Sequence, residues 1–388
     1  MFKIQTLNNI SRNGLDRLPA NLYSAANDVA DPDAVLVRSA DMHKTPIAAS
    51  VKAVARAGAG TNNIPVAELS ARGVPVFNAP GANANAVKEL VVASMLLAAR
   101  NIADALGFVQ QLEASDELHH KVEAEKKRFV GSELSGKTLG VVGLGAIGVK
   151  VANAAYALGM RVVGFDPHMT VDGAWQLSSE VAKAGSLNEL FAASDYLTFH
   201  VPLNDKTRGV FGAQALEHVR PGIVLLNFAR EGIVDAAVLR SGLADGRIGR
   251  YVSDFPEADL LANPRVIALP HLGASTGEAE ENCAVMVVDQ LRDFLENGNV
   301  RNSVNFPETR MARTGHARIC IANSNRPNMI GQLSHVLGEA GVNIAQMLNA
   351  SRGDLAYSLI DADSPVPDTL AAAIAAIDGI LSVRVIGN

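Results

Sequence analysis

Short apolar, β-branched runs separated by helix-forming segments mark the first hundred residues, with strands expected over 34–38, 52–57 and 74–78. That alternation predicts an open parallel sheet. From residue 85 to about 127, Val91, Met95, Leu96, Ile102 and Leu106 keep helical spacing before a charged tail, which predicts a long helical stretch bridging two domains. A second α/β series follows, its strands ending near Asp166, His200, Asn227, Asp254 and Pro270. This is the pattern of a doubly wound sheet, whose ligands bind at the strand carboxyl ends. After a helix over 276–297, the polar, extended segment 301–307 marks a boundary. Beyond His316 the order strand, helix, strand, strand, helix, strand predicts a ferredoxin-like βαββαβ unit. At about 70 residues that unit is small, and pairing with another subunit would cover the open face of its sheet.

The chemistry concentrates where strands end. Gly143-Leu-Gly145-Ala-Ile-Gly148 follows the apolar run 138–142 and opens a helix-forming stretch. The first glycine permits a tight turn, the second a close approach of backbone to a pyrophosphate, and the third close packing of helix on strand. The next strand ends at Asp166, about 20 residues on, where a carboxylate can bind both ribose hydroxyls. A 2′-phosphate would meet that charge with no compensating cation at Pro167, so NAD is expected over NADP.

Composition narrows the partners. With 388 residues, 48% of them hydrophobic and 19% charged, and a formal charge of -6, the chain has material for several cores and no nucleic-acid surface. Cys283 and Cys320 lie in apolar segments, which fits core packing in a reducing compartment. No signal peptide, membrane span or metal-ligand spacing is read, so a cytoplasmic protein acting on small molecules without a metal is expected.

Oxidising an alcohol with a nicotinamide requires a base for the hydroxyl proton and a cation for a neighbouring carboxylate. Arg230, just past the strand 223–229, can fork onto a carboxylate. His271, after Ile267-Ala-Leu-Pro270, is the expected general base, and Glu257 is the best available carboxylate to fix its tautomer. His200 is expected to line the cofactor crevice, while Arg38 and Arg56 end first-domain strands and could reach an anionic substrate.

Together, Val37-Arg-Ser39, the run 56–64, Phe77-Asn-Ala-Pro80, the glycine fingerprint, Asn227-Phe-Ala-Arg230, Val234-Asp235 and Pro270-His-Leu-Gly-Ala-Ser-Thr276 resemble the D-isomer-specific 2-hydroxyacid dehydrogenase family. The resemblance implies two Rossmann-like domains, a discontinuous substrate domain (1–98 with 284–308) and an NAD domain (99–283). It implies that Arg230 binds the substrate carboxylate, His271 exchanges the proton and Glu257 supports His271. The family string Asp-Val-Phe-x-x-Glu-Pro is shortened here to Asp254-Phe-Pro-Glu257-Ala-Asp259, which leaves Asp259 as the alternative. Implied cofactor contacts are Gly143, Gly145, Ala146, Ile147, Gly148, Asp166, His200, Pro202, Thr207, Asn227, Ala229, Asp254, His271 and Gly273. Arg38, Ser39, Arg56, Ala57 and Gly58 join Arg230 and His271 as implied substrate contacts. The family's usual glycine after the arginine is Glu231, expected to point outward, and its first cofactor-string threonine is Asn204.

Residues 315–388 resemble an ACT domain through Asn325-Arg-Pro-Asn-Met-Ile-Gly331 and Gly341-Val-Asn343-Ile344. Such domains pair between subunits and bind serine, which implies an effector site at Asn323, Asn325 and Asn343 and a homodimer or homotetramer. The implied reaction is oxidation of 3-phospho-D-glycerate to 3-phosphohydroxypyruvate, the first step of phosphorylated serine biosynthesis. Reduction of glyoxylate or hydroxypyruvate, and an NAD-sensing scaffold without chemistry, are the alternatives.

Overall fold

The computed structural model describes Met1–Gly387, which divide into two compact units, Met1–Asn83 with Gly277–Asn388 and Ala84–Thr276. The first unit opens with five parallel strands, β1 (Phe2–Leu7), β2 (Tyr23–Ala26), β3 (Ala34–Val37), β4 (Ala53–Arg56) and β5 (Val76–Phe77), in the order β2-β1-β3-β4-β5. Strand alternation splits its apolar residues between two cores. Ala34, Leu36, Ala53 and Ala55 face one, and Val35, Val37, Val54 and Val76 face the other. The helix Gly277–Asn297 covers the first face with Cys283, Val287, Leu291 and Phe294, so the chain returns to this sheet after the whole second unit.

The second unit holds β6 (Thr138–Val142), β7 (Arg161–Phe165), β8 (Ala182–Lys183), β9 (Tyr196–Phe199), β10 (Ile223–Asn227), β11 (Ile248–Ser253) and β12 (Val266–Ala268). Their order, β12-β11-β10-β9-β6-β7-β8, is that of a doubly wound dinucleotide fold with an added edge strand, and its switch point lies between β6 and β9. The long helix expected over 85–127 is instead broken. Ala84–Arg100 and Ile102–Gln110 meet at 71°, and Leu118–Glu125 follows separately. Asn101 makes the corner in the left-handed region (φ 51°), its amide donating to Val130 O and accepting from Arg250. Every segment of the stretch lies within the second unit, rather than bridging two. Among the described residues no single helix is long and apolar enough to cross a membrane.

The chain ends in β13 (Ala317–Ser324), β14 (Ile344–Arg352), β15 (Leu355–Ala362) and β16 (Ile380–Gly387), an antiparallel sheet ordered β14-β15-β13-β16. Ile319, Ile321 and Ile360 pack on the helices Met329–Glu339 and Asp368–Ala375. The opposite face was expected to need a second subunit. It is covered in cis, because Cys320, Ala322, Tyr357 and Leu359 join Phe294 and Phe306 in the core beneath the first sheet. Arg318 fastens this junction: completely buried, it spends all five N–H donors on Asp361 Oδ1 (2.6 Å) and Oδ2 (2.8 Å) and on the carbonyls of Asn297, Met311 and Ala312.

Candidate active site

Strand order decides which residues can meet. Along the carboxyl edge of the seven-stranded sheet stand His271 beyond β12, Asp254 after β11, Arg230 beyond β10, His200 after β9, Gly143 after β6 and Asp166 after β7. At about 4.8 Å between neighbours, the strands that carry His271 and Arg230, two apart, lie roughly 10 Å from one another.

The glycine loop is tight for steric reasons. Gly143 adopts φ +90°, and a Cβ on Gly148 would overlap the Gly143 carbonyl oxygen. Nothing lies within 4 Å of where a Cβ on Gly145 would sit, so the second glycine faces open space. Ala146 and Ile147 begin the helix Ala146–Ala157, whose N-terminus carries no side-chain cap, and the first N–H groups of a helix lack intrahelical acceptors and suit an anion. Asp166 braces the loop, accepting from Leu144 N and His168 N, both at 2.8 Å.

Arg230 is exposed on a turn built by Asn227, whose buried amide donates to Arg230 O (3.0 Å) and accepts from Ala229 N (3.2 Å). His271 is likewise exposed and meets Phe255 edge-on, with ring centroids 5.0 Å apart. Between them lies Asp254, 1% exposed; its Oδ2 accepts from Gly273 N (3.1 Å), while Oδ1 is buried without a partner. Burial pushes the Asp254 carboxyl up, against the opposing pull of the Gly273 N–H and His271. Burial also drives His200 down to about 3, which keeps its imidazole neutral; Thr198 Oγ1 meets Nε2 at 2.9 Å and Nδ1 is buried without a partner. Pro202 and Thr207 belong to the following turn, where the Thr207 hydroxyl donates to Pro202 O and accepts from Asn204 N (2.9 Å).

The pairing expected between Glu257 and His271 is not formed. Arg240 holds Glu257 through Nη2 (3.4 Å) and Asp259 through Nε (2.5 Å), because the helix Ala236–Asp245 carries its guanidinium across both carboxylates. Burial raises the Glu257 carboxyl and Arg240 lowers it, while Asp259 and Glu231 raise it further. The hydrogen bond from Arg240 holds the exposed Asp259 low. Glu231 is therefore close enough for its charge to act on Glu257.

In the first unit, Arg38 at the end of β3 pairs with Glu280, and Ser39 N donates to Asn8 Oδ1 (3.0 Å). Arg56 ends β4 and precedes the buried Ala57; its Nη1 occupies the place a Cβ on Gly58 would take, so a larger residue there would displace the guanidinium. Both guanidiniums lie near Cys283. The three asparagines assigned to one effector site do not converge within the chain. Asn325 donates to Gly353 O at one end of β15 and Asn343 to Asp363 at the other, roughly 25 Å apart for eight residues of strand. Asn323 is buried and bonded to Ser324 O.

Comparison with known proteins places this geometry in a family. Residues 92–273 match the model for the NAD binding domain of D-isomer specific 2-hydroxyacid dehydrogenases. The D-3-phosphoglycerate dehydrogenase of Escherichia coli is 32% identical over 341 residues, covering 84% of this chain and 79% of that protein. The chain belongs to the D-isomer specific 2-hydroxyacid dehydrogenases. Its counterpart in Methanocaldococcus jannaschii is 34% identical over 341 residues, or 85% of this chain, which spans only 60% of that protein's length. A crystal structure of cofactor(NAD+) bound 3-phosphoglycerate dehydrogenase from Entamoeba histolytica superposes with a TM-score of 0.58 at 25% identity, covering 78% of this chain and 98% of that one.

In this chain the described residues fit a dinucleotide on local grounds. The space over Gly145 suits a pyrophosphate, and the unpartnered Asp254 Oδ1 is an acceptor for a carboxamide N–H. Sequence reasoning missed Arg240 and Glu280. Arg240 precedes Glu257 by 17 positions, and nothing in a linear string signals that pairing; Glu280 reaches Arg38 across 242 positions.

Proposed function

We propose that the chain is an NAD-dependent enzyme of the cytoplasm that oxidises 3-phospho-D-glycerate to 3-phosphohydroxypyruvate. The observation that carries this reading is the single sheet edge bearing Arg230, Asp254 and His271 beside the glycine loop, in a chain similar to curated D-3-phosphoglycerate dehydrogenases. Bound NAD supplies hydride acceptance. The glycine loop, Asp166, Asp254 and the turns at His200, Pro202 and Thr207 hold the dinucleotide. Arg230 grips the substrate carboxylate and polarises the adjacent oxygen, and Asn227 fixes its turn. His271 accepts the C2 hydroxyl proton, so that hydride and proton leave together and a ketone remains. Glu257 is the carboxylate assigned to stabilise the imidazolium, in preference to Asp259, because Glu257 is the less exposed and its pKa is the raised one. Arg38, Ser39, Arg56, Ala57 and Gly58 are kept as substrate-binding groups.

Assembly into a homodimer or homotetramer is part of the same proposal. The helices Ile102–Gln110 and Leu118–Glu125 bury no residue, and Leu106 and Val109 are more than half exposed. A serine site drawing on both Asn325 and Asn343 would require a second copy of the C-terminal sheet.

The test is a panel of 3-phosphoglycerate, lactate, glycerate and, in reverse, glyoxylate and hydroxypyruvate, with NAD and NADP, following absorbance of the reduced cofactor. Preference for phosphoglycerate with NAD is expected. Equal efficiency on non-phosphorylated acids would refute the substrate assignment. His271→Ala should abolish turnover while NADH binding persists; retained turnover would remove the general base.

A further inference from the structure

A cavity of about 420 Å³ opens within the first unit, between the amino ends of β4 and β5 and the last strand, β16. Ser50 and Lys52 lie just before β4, and Arg72, Gly73 and Val74 lie before β5, with Arg384 of β16 opposite them. Because Arg38 and Arg56 stand at the carboxyl ends of the same parallel sheet, the cavity is on the far edge from them, roughly 13 Å away along β4.

Its lining carries three cations and no carboxylate. Arg384 sits opposite Cys320 in the sheet register, on a face that otherwise buries apolar side chains. Its guanidinium donates to the carbonyls of Phe294 and Leu295, stacks 4.2 Å over the Phe294 ring and also meets the Tyr357 hydroxyl and the Cys320 thiol, and among the described residues no carboxylate pairs with it. Arg72 likewise donates to the carbonyls of Ile47 and Ala48, with the exposed Glu68 at 3.9 Å. Lys52 is paired with Asp33 at 2.6 Å. Carbonyls orient guanidiniums without neutralising them, so charge and unused N–H donors remain, and the apolar surround strengthens both.

We propose that this cavity is a binding site for a small oxyanion, a carboxylate- or phosphate-bearing metabolite, separate from the catalytic edge. An occupant tied to Lys52, Arg72 and Arg384 would cross-link the first sheet to β16, so binding there couples the C-terminal sheet to the substrate-side sheet. The volume is within the range of small-molecule pockets.

Calorimetric titration of the full chain with inorganic phosphate and, separately, with citrate, at ionic strength held constant by sodium chloride, tests the proposal independently of turnover. Saturable binding is expected, with citrate against phosphate reporting which oxyanion the cavity prefers. Lys52→Glu, a change at an exposed position, should weaken it by about tenfold or more. Arg384→Gln should do the same; its lost packing is controlled by Lys52→Glu, which leaves the Phe294 contact intact. No saturable heat above the chloride control would overturn the proposal. So would binding that survives Lys52→Glu, or that disappears in Arg230→Gln or Arg56→Gln instead.

Discussion

Replacing Arg318 with Met leaves a carboxylate and three carbonyls in a dry junction. Asp361 is 1% exposed and would keep only the Thr314 N–H (2.9 Å) and hydroxyl (3.2 Å), while the carbonyls of Asn297, Met311 and Ala312 lose their donor. Breaking a buried pair from one side costs about 3–5 kcal/mol, because the remaining charge is uncompensated. Arg318→Met should lower the urea midpoint of the first unit accordingly, monitored by far-ultraviolet circular dichroism. The pair also predicts a pH dependence. Burial raises the Asp361 carboxyl, but the Arg318 and Thr314 hydrogen bonds and the Arg318 charge outweigh burial and leave it below the ordinary value. Its contribution is therefore complete above the unfolded pKa of about 4 and lost as pH falls through the folded pKa. Arg318→Met with Asp361→Leu removes the stranded charge and should recover much of the loss. A single variant within about 1 kcal/mol of wild type, or a double variant no better than the single, would refute the argument.

Three further changes probe the proposed catalytic edge. Arg230→Lys keeps the charge but loses the planar fork, and kcat/KM should fall about 10- to 100-fold, the worth of one charged hydrogen bond; an unchanged value would remove the carboxylate grip. Gly148→Ala drives a methyl group into the Gly143 carbonyl, so NAD affinity measured by fluorescence quenching should collapse. Normal affinity would show that the loop can relax. Arg240→Gln removes the cation that lowers the Glu257 carboxyl, leaving burial, Asp259 and Glu231 to raise it. Under the proposed role of Glu257 as a carboxylate, the acid limb of the kcat/KM profile should move to higher pH. A limb that stays in place would count against Glu257.

Periodicity and local chemistry made much of this protein legible in one dimension. A strand followed by three spaced glycines and a carboxylate has a local steric meaning, so the dinucleotide loop could be read from the string, as could the βαββαβ order of the C-terminal sheet. That Arg230 and His271 stand on one sheet edge was legible because both follow apolar strands, and parallel strands deliver their carboxyl ends to one edge whatever lies between. Tertiary structure alone decided what depends on distant partners. The helix corner at Asn101 needed Val130 and Arg250, and Glu257 went to Arg240 instead of His271. The C-terminal sheet found its cover within the chain, where Arg318 could satisfy every donor at once. Local sterics act between neighbours in sequence, but ion pairing and burial act between neighbours in space, and only the folded chain brings those together.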